Sequence, residues 1–242
     1  MGVGIGRFLS YGISGDPSLS TAEAVEAKCL PGGFYNGEII ESIDSLLIKD
    51  EILKGNAHFQ YKDQMVEVGP LARQVLACQD PLQKESPSGL IWDILQEKGP
   101  SVFLRVFARM HESAFFFQRI QHWLSKLDLG KNFNVDFSRY KQSMTGLGLT
   151  EAPRGALAHL TTTNSQKIEG YQILAPTLVN INNGAKPKEQ SALAEALTGV
   201  VIEDTENPVE VATIARSLDT CLNCKVNLYK HRSEKQIATV AL

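Results

Sequence analysis

The chain has 242 residues, of which 43% are hydrophobic, and its formal net charge at pH 7 is −3. This composition is typical of a globular protein with a buried core, and the weak negative charge gives no electrostatic basis for binding nucleic acid or an anionic membrane. No apolar run reaches the length of a membrane span, and the first residues lack the apolar region of a signal peptide. We therefore expect a chain that is cytoplasmic as synthesised and becomes membrane-associated or exported only through a partner subunit.

The first segment is rich in glycine. The alternating glycines of residues 2–12 predict a tight loop or a short extended piece, because no strand precedes them as a dinucleotide-binding loop requires. Residues 13–36 contain many glycine, proline and serine residues, with one short helical patch at 21–28.

Two helices are predicted next from the spacing of apolar residues. One covers residues 44–54 and is ended by Gly55, and the other opens within 67–73 with Pro70 in its first turn. The side chains expected on the buried face of the second helix are Leu71, Val75 and Leu76.

The longest predicted element is a helix over residues 101–127. Its apolar residues recur every three or four positions, which is the period that brings side chains to one side of a helix. We expect this stripe to be buried core. It consists of Phe103, Phe107, Met110, Ala114, Phe117, Ile120 and Leu124, and is widened by Phe115, Phe116 and Trp123. His111 and His122 have no paired ligand four residues away, so no metal site is predicted on this helix.

The second half of the chain predicts both strands and helices. A polar loop at 128–145 is followed by a glycine-bounded turn at 146–155 that presents Arg154. Two β-like runs, 156–163 and 167–174, then predict a hairpin.

Two more helices are expected, one at 189–197 and one that begins after Asn207-Pro208 and ends at Leu218. The elements together predict a mainly α fold, with a multi-helix core and a small β-hairpin.

The last predicted helix leads into Asp219, Cys221 and Cys224. Two thiols separated by two residues can converge on one metal or close one disulfide, and the carboxylate adds a charge beside them. Such a pair supplies half of a tetrahedral site, so metal binding and redox use both stay open on this motif alone. Cys29 and Cys78 are far from it in sequence, and we expect them to be small buried or half-buried residues.

Four stretches of the chain carry a family resemblance. They are Glu67-Val-Gly-Pro-Leu-Ala-Arg73, Glu151-Ala-Pro-Arg-Gly-Ala-Leu-Ala-His159, Tyr171-Gln172 followed by Ala175-Pro176-Thr177, and Asp219-Thr-Cys-Leu-Asn-Cys224. In this order they resemble the large subunit of nickel–iron hydrogenases, of which the chain corresponds to roughly the C-terminal half. The resemblance implies a hydrogenase-like region over 1–227 and a C-terminal maturation extension over 228–242.

The resemblance implies reversible, heterolytic cleavage of H2 to protons and electrons at a nickel–iron centre with cyanide and carbon monoxide ligands. In the family four thiolates hold nickel, which such soft ligands suit. By motif, Cys221 would be a terminal nickel ligand and Cys224 would bridge nickel and iron. Arg154 would lie over the open metal face to polarise or deprotonate H2, and Asp219 would orient Arg154 through a charge-assisted hydrogen bond.

Four more residues receive supporting roles from the same resemblance. Thr177 and the backbone near Pro153 would donate hydrogen bonds to the iron-bound cyanides. The carbonyl of Ile173 would bind a structural magnesium ion. Asn227 stands where the family has a histidine that binds this magnesium and marks the maturation cleavage, and an asparagine carbonyl can still bind a hard cation.

The main departure from the family is the number of thiolates. The sequence lacks the N-terminal CxxC that supplies the other two nickel ligands, and the glutamate that first accepts the proton. The resemblance therefore implies half of a split subunit, a truncated gene product or a fragment. The expected partners are a large-subunit segment with the missing CxxC, an iron–sulfur small subunit and a maturation endopeptidase. Thr220 also replaces a proline, and Leu178-Val179 replaces a Thr-Trp pair.

Other interpretations stay open from the sequence. The chain could be a metal-free hydrogenase-like scaffold or an inactive truncated product, or a zinc or redox protein with His231 as the nearest further zinc ligand. Arg154 could be an ordinary salt-bridged arginine, and Asp219 could simply end a helix. We expect His159 to be a hydrogen-bonded core residue.

Overall fold

The computed structural model describes residues 4–14, 28–55, 58–78, 87–130, 143–165, 167–182, 189–221, 224–229 and 236–241. The helices in this part of the chain are α1 (Ser45–Lys54), α2 (Pro70–Ala77), α3 (Pro87–Lys98), α4 (Val102–Lys126), α5 (Pro176–Ile181), α6 (Ala192–Leu197) and α7 (Val209–Ser217). The strands are β1 (Phe8–Ser10), β2 (Ile13–Ser14), β3 (Lys28–Leu30), β4 (Gly33–Tyr35), β5 (Ile40–Glu41), β6 (Met144–Ala152), β7 (Gly155–Asn164), β8 (Lys167–Leu174), β9 (Lys225–Tyr229) and β10 (Gln236–Ala241). The helical patch predicted at 21–28 lies outside the described residues except for residue 28, which begins β3.

Helices α1 and α2 confirm the sequence prediction. The side chain of Asp44 accepts hydrogen bonds from the first amides of α1, and Gly55 follows its last residue. Pro70 occupies the first turn of α2, where its missing N–H costs nothing. Every residue of α2 is buried, including the three predicted apolar positions and Arg73.

Helix α4 has the predicted extent, but the prediction of its buried face is wrong. Phe103, Met110, Phe117, Ile120 and Leu124 are exposed, with Phe117 at 71%. The buried residues of α4 are instead Leu104, Arg105, Ala108 and Glu112. The buried face of this helix includes an arginine and a glutamate, which hydrophobic periodicity assigns to solvent.

The strands form four small antiparallel sheets, with orders β1-β4-β5, β2-β3, β6-β7-β8 and β9-β10. The predicted hairpin is confirmed as β7 and β8. Strand β6 corrects the predicted loop and turn, because it pairs with β7 along its whole length, from Met144 opposite Thr163 to Ala152 opposite Gly155. Strands therefore make up more of the fold than the mainly α prediction allowed.

Two hydrophobic clusters form the core. One joins β1, β4 and α1 to the inner side of β7, and the other joins α2, α3 and α4. Helix α2 packs against both α4 and β1, and also contacts β7. It therefore connects the helical layer to the sheet that carries Arg154.

The C-terminal elements lead to the cysteine pair. Helix α6 begins after Ser191, whose hydroxyl accepts from the Ala194 amide, and is shorter than predicted. Helix α7 follows Pro208 as predicted and leads to Asp219. Strands β9 and β10 then pair across the predicted 227/228 boundary. None of the described helices combines the length and apolar character needed to cross a membrane.

Candidate functional site

Arg154 lies in a two-residue turn between β6 and β7. The next residue, Gly155, has a φ of 128°, and a Cβ atom there would lie 2.6 Å from the backbone nitrogen of Gly69. Only glycine fits such a conformation and such a close approach. The Gly-Pro start of α2 and the turn with Arg154 are thereby held against one another.

Arg154 and Asp219 are in direct contact. The Nε atom of Arg154 donates a 3.0 Å hydrogen bond to the backbone carbonyl of Asp219 and lies 3.5 Å from its carboxylate oxygen Oδ1. Both side chains are partly exposed, at 39% for Arg154 and 32% for Asp219. The structure thus brings together two residues that are 65 positions apart in sequence.

Asp219 has an unusual backbone conformation. Its φ is 52°, in the left-handed region that aspartate tolerates better than most residues, and its amide donates to the carbonyl of Arg216 at 2.9 Å. Asp219 therefore also ends helix α7, which was the simpler interpretation of the sequence. The positive φ turns the chain so that the thiols follow directly beyond the helix end.

The two cysteines after Asp219 lie side by side. Cys221 and Cys224 are free and half-buried, and the Cys224 amide donates to the Cys221 carbonyl at 2.9 Å. Burial and a hydrogen bond from the Cys224 thiol to Cys221 raise the pKa of Cys224, while the positive charge of Arg154 acts in the opposite direction. The thiols and the guanidinium therefore share one small region.

A second arginine approaches Asp219 from helix α4. The Nη2 atom of Arg109 donates to the Ser217 carbonyl at 3.1 Å, and its Nε lies 3.8 Å from Oδ2 of Asp219. Burial lowers the pKa of Arg109, and the charge of Asp219 partly offsets this effect. Asp219 thus lies between two arginines, Arg109 and Arg154.

A network of buried ion pairs lies next to the turn formed by Pro153 and Arg154. Arg73 makes a bidentate pair with Glu112, at 2.8 and 2.7 Å, and contacts Glu151 at 2.7 Å. Burial raises the pKa of Glu151, while the Arg73 charge and the Tyr11 amide oppose the shift. A cavity of about 300 Å³ opens beside this network and is lined by Arg73, Arg109, Glu112, Phe116, Glu151, Pro153 and Asp219, among others.

The other predicted site residues lie in separate elements. Thr177 is half-buried in the first turn of α5, and Pro153 precedes Arg154 in the turn. Ile173 is in β8, paired with His159, and is 41% exposed. Asn227 is in β9, and its side-chain oxygen accepts a 3.0 Å hydrogen bond from Thr239.

The structure also tests the predictions for His159 and Cys78. His159 is hydrogen-bonded, to the Tyr171 hydroxyl, but lies half-buried on the sheet and not in the core as predicted. Cys78 is half-buried as predicted, and its thiol donates to the carbonyls of Gln74 and Ser88. The side chain of Cys29 and all of His231 lie outside the described residues.

Sequence reasoning missed Arg73, Arg109, Glu112 and Glu151 as parts of the site. A usable signal was present for Arg73, which stands among Leu71, Val75 and Leu76 in the predicted helix, where a charged residue is buried only when paired. The described residues contain no group of three or more histidine, cysteine or acidic side chains arranged to hold a metal ion. Any metal held by Cys221 and Cys224 therefore needs ligands from beyond this described part of the chain.

Comparison with known proteins gives concordant matches. A family model described as nickel-dependent hydrogenase matches residues 58–227. The periplasmic NiFeSe hydrogenase large subunit of Desulfomicrobium baculatum is 32% identical over 192 residues, which cover 75% of this chain and 37% of that protein. The hydrogenase-1 large chain of Escherichia coli K12 is 29% identical over 182 residues, or 70% of this chain and 30% of that one.

Solved structures agree with these relatives. A NiFeSe hydrogenase variant from Desulfovibrio vulgaris Hildenborough superposes with a TM-score of 0.74 at 26% identity, covering 93% of this chain and 53% of that chain. The reduced, active enzyme from Desulfomicrobium baculatum gives a TM-score of 0.71 at 28% identity, covering 93% and 52%. The chain thus spans about a third of the length of these sequence relatives and about half of the solved chains.

Proposed function

Since its residues 58–227 match the family model, this chain belongs to the nickel-dependent hydrogenase family, and we propose that it is the C-terminal part of a nickel–iron hydrogenase large subunit. In this role it would take part in the reversible, heterolytic cleavage of H2 to protons and electrons. The relatives are longer, so the complete reaction is assigned to an assembly and not to this chain alone.

The observation that carries this proposal is the convergence of Arg154, Asp219 and the two thiols. A free thiol pair can serve many purposes, but a guanidinium held against a carboxylate at the same place suits chemistry that moves a proton. A cavity of about 300 Å³, which Pro153 and Asp219 line but neither thiol does, adjoins this region.

The donor set fits half of a nickel–iron centre. Cys221 and Cys224 offer two adjacent soft ligands, and both are free. When bound, the metal group supplies the site that polarises H2 and accepts its electrons. The chain would hold the group through the thiolates of Cys221 and Cys224, and a partner segment would supply the other two.

Arg154 and Asp219 would stabilise charge and transfer the proton during the reaction. The Arg154 guanidinium would present its positive charge near the thiols, and its Nε is held by the Asp219 carbonyl, so that its orientation would need no change during the reaction. The Asp219 carboxylate, 3.5 Å from the same Nε atom, would accept a proton from Arg154.

The supporting roles of four residues are part of the proposal. Thr177 and the backbone near Pro153 would donate to the iron-bound cyanides, and Ile173 and Asn227 would contribute to a magnesium site. Removal of 228–242 by a maturation endopeptidase would first require β9 and β10 to separate, since their pairing crosses residue 227. The mass of the chain purified from nickel-replete cells tests this cleavage.

Helix α4 has an exposed apolar face. We define the exposed face of α4 as Phe103, Met110, Phe117, Ile120 and Leu124. An apolar stripe of this length is rarely left in water. It belongs to the same helix that brings Arg109 and Glu112 to the incomplete site. We assign this face to the large-subunit segment that carries the missing CxxC, since the solved relatives contain nearly as much chain again.

The docking face is tested by Phe117→Glu in the chain co-expressed with that segment. Phe117 is 71% exposed, so the charge should leave the folding of the chain intact and abolish co-purification with the partner. The matched control is Gln118→Glu, which adds the same charge at the next exposed position and should assemble normally. Normal assembly of Phe117→Glu would refute the assignment.

The function is tested by co-expressing the chain with a large-subunit segment carrying the missing CxxC and an iron–sulfur small subunit. We expect nickel incorporation and H2-dependent dye reduction only in the complete assembly. H2-dependent activity of the chain alone would overturn the split site. An assembly that forms without nickel and is indifferent to Cys221→Ala would indicate a metal-free scaffold instead.

A further inference from the structure

The turn that presents Arg154 is not stabilised by its own conformation. Two-residue hairpin turns match the twist of their strands when the central residues have positive φ. Proline fixes φ near −65°, and neither Pro153 nor Arg154 is among the described residues with positive φ. Contacts from outside the hairpin must therefore hold this turn in place.

Arg73 provides those contacts. Its Nη1 donates to the carbonyl of Ala152 and its Nη2 to the carbonyl of Pro153, both at 3.1 Å. These two carbonyls belong to the residues that immediately precede Arg154. The guanidinium therefore fixes the backbone from which the Arg154 side chain extends.

Arg73 is itself held rigidly. Its side chain is 2% exposed, and all five of its N–H donors have acceptors, namely the two carbonyls, two oxygens of Glu112 and one oxygen of Glu151. The pKa of Arg73 is raised, because its carboxylate partners outweigh the opposing effect of burial. A lysine at this position could not occupy the same acceptors, since its charge is a single point with three donors.

We infer that Arg73 is a positioning residue for Arg154. It fixes the Pro153–Arg154 turn so that Nε of Arg154 meets the Asp219 carbonyl beside the thiols. The consequence for catalysis rests on the proposed function, but the positioning itself is a property of this chain and requires no metal.

The test is the solvent exchange rate of the Arg154 Nε proton, measured by NMR on the full chain in wild type and in Arg73→Lys. The loss of two charge-assisted bonds to the turn should free Arg154 and speed this exchange by about tenfold or more. The measurement uses neither nickel nor H2, so its failure and a failure of the hydrogenase proposal are distinguishable.

The matched control is Arg105→Lys. Arg105 is equally buried and makes the same bidentate pair, with Glu67 at 2.8 and 2.9 Å. This variant should lose comparable stability and leave the Arg154 proton exchanging at the wild-type rate. An unchanged rate in Arg73→Lys, or an equal acceleration in both variants, would overturn the inference.

A milder variant tests the positioning role of Arg73 if Arg73→Lys does not fold. Glu151→Gln keeps an oxygen for Nη1 of Arg73 but removes its charge. We expect a smaller acceleration of the Arg154 exchange in this variant, and exchange at the wild-type rate would contradict the positioning role.

Discussion

Arg154 and Asp219 are joined twice, through a 3.0 Å hydrogen bond from Nε to the backbone carbonyl and a 3.5 Å approach to the carboxylate. The first contact survives any change of the Asp219 side chain, whereas the second depends on its charge. The two contacts can therefore be separated by substitution.

Arg154→Lys should abolish most of the activity of the assembled enzyme without reducing its nickel content. Lysine keeps the charge but has no planar Nε donor, and the loss of one preorganised donor typically lowers turnover by about a hundredfold or more. H2-dependent dye reduction and metal analysis on the same preparation measure both quantities.

Asp219→Asn serves as the comparison for that variant. It keeps the backbone acceptor and removes only the carboxylate, so its loss of activity should be smaller. An equal loss in both variants would mean that the carboxylate, as partner or as proton acceptor of Arg154, matters as much as the guanidinium itself.

Glu112→Ala should destabilise the chain strongly. Glu112 shares a bidentate bond with Arg73 at 2% and 6% side-chain exposure, and removing one partner leaves a buried charge. We expect the free energy of unfolding in urea to fall by about 3–5 kcal/mol. Glu97→Ala, in the exposed pair with Lys98, should leave the unfolding midpoint nearly unchanged. Similar effects of the two substitutions would show that the buried network contributes little.

Gly155→Ala should destabilise the fold by about 3 kcal/mol, because a Cβ atom meets backbone at 2.6 Å and φ is 128°. Gly146→Ala, in the same hairpin, meets nothing within 4 Å and should be neutral or slightly stabilising. Thermal unfolding of the two variants measures the difference. Equal midpoints would rule out the close crossing of Gly69 and Gly155.

The sequence predicted the limits of the helices better than it predicted how the elements pair and pack against one another. The limits of α1 and the first turn of α2 follow from Asp44, Gly55 and Pro70, which act through neighbouring backbone. Strand β6 could not be predicted, since Gly146 and Gly148 disfavour a strand locally and only pairing with β7 makes one.

The buried face of α4 shows the same limit. The sequence shows the apolar stripe of α4. The side of the helix that faces the core is set by Arg105 and Glu112, whose partners are on other elements. In the site, motif resemblance pointed to Arg154, Asp219 and the thiols as a group. The support from Arg73 became visible only when its donors and acceptors were located in space.

Cys78 should remain protonated and unreactive at neutral pH. Burial raises its pKa from 9.0 to about 12. The folded state therefore keeps the thiol proton that the unfolded chain releases, so this contribution to stability is complete below about pH 9 and is lost as the pH rises toward 12. The difference in unfolding free energy between wild type and Cys78→Ala should shrink over that range. A difference that stays constant with pH would contradict the assignment.

The central claim is that Cys221 and Cys224 supply half of a nickel site that a partner completes. The most direct measurement is the nickel content of the purified assembly for wild type, Cys221→Ala, Cys224→Ala and Cys78→Ala. We predict nickel in wild type and Cys78→Ala, none in the other two variants, and none in the chain purified without its partner. Nickel retained at wild-type levels by Cys221→Ala and Cys224→Ala would contradict the claim.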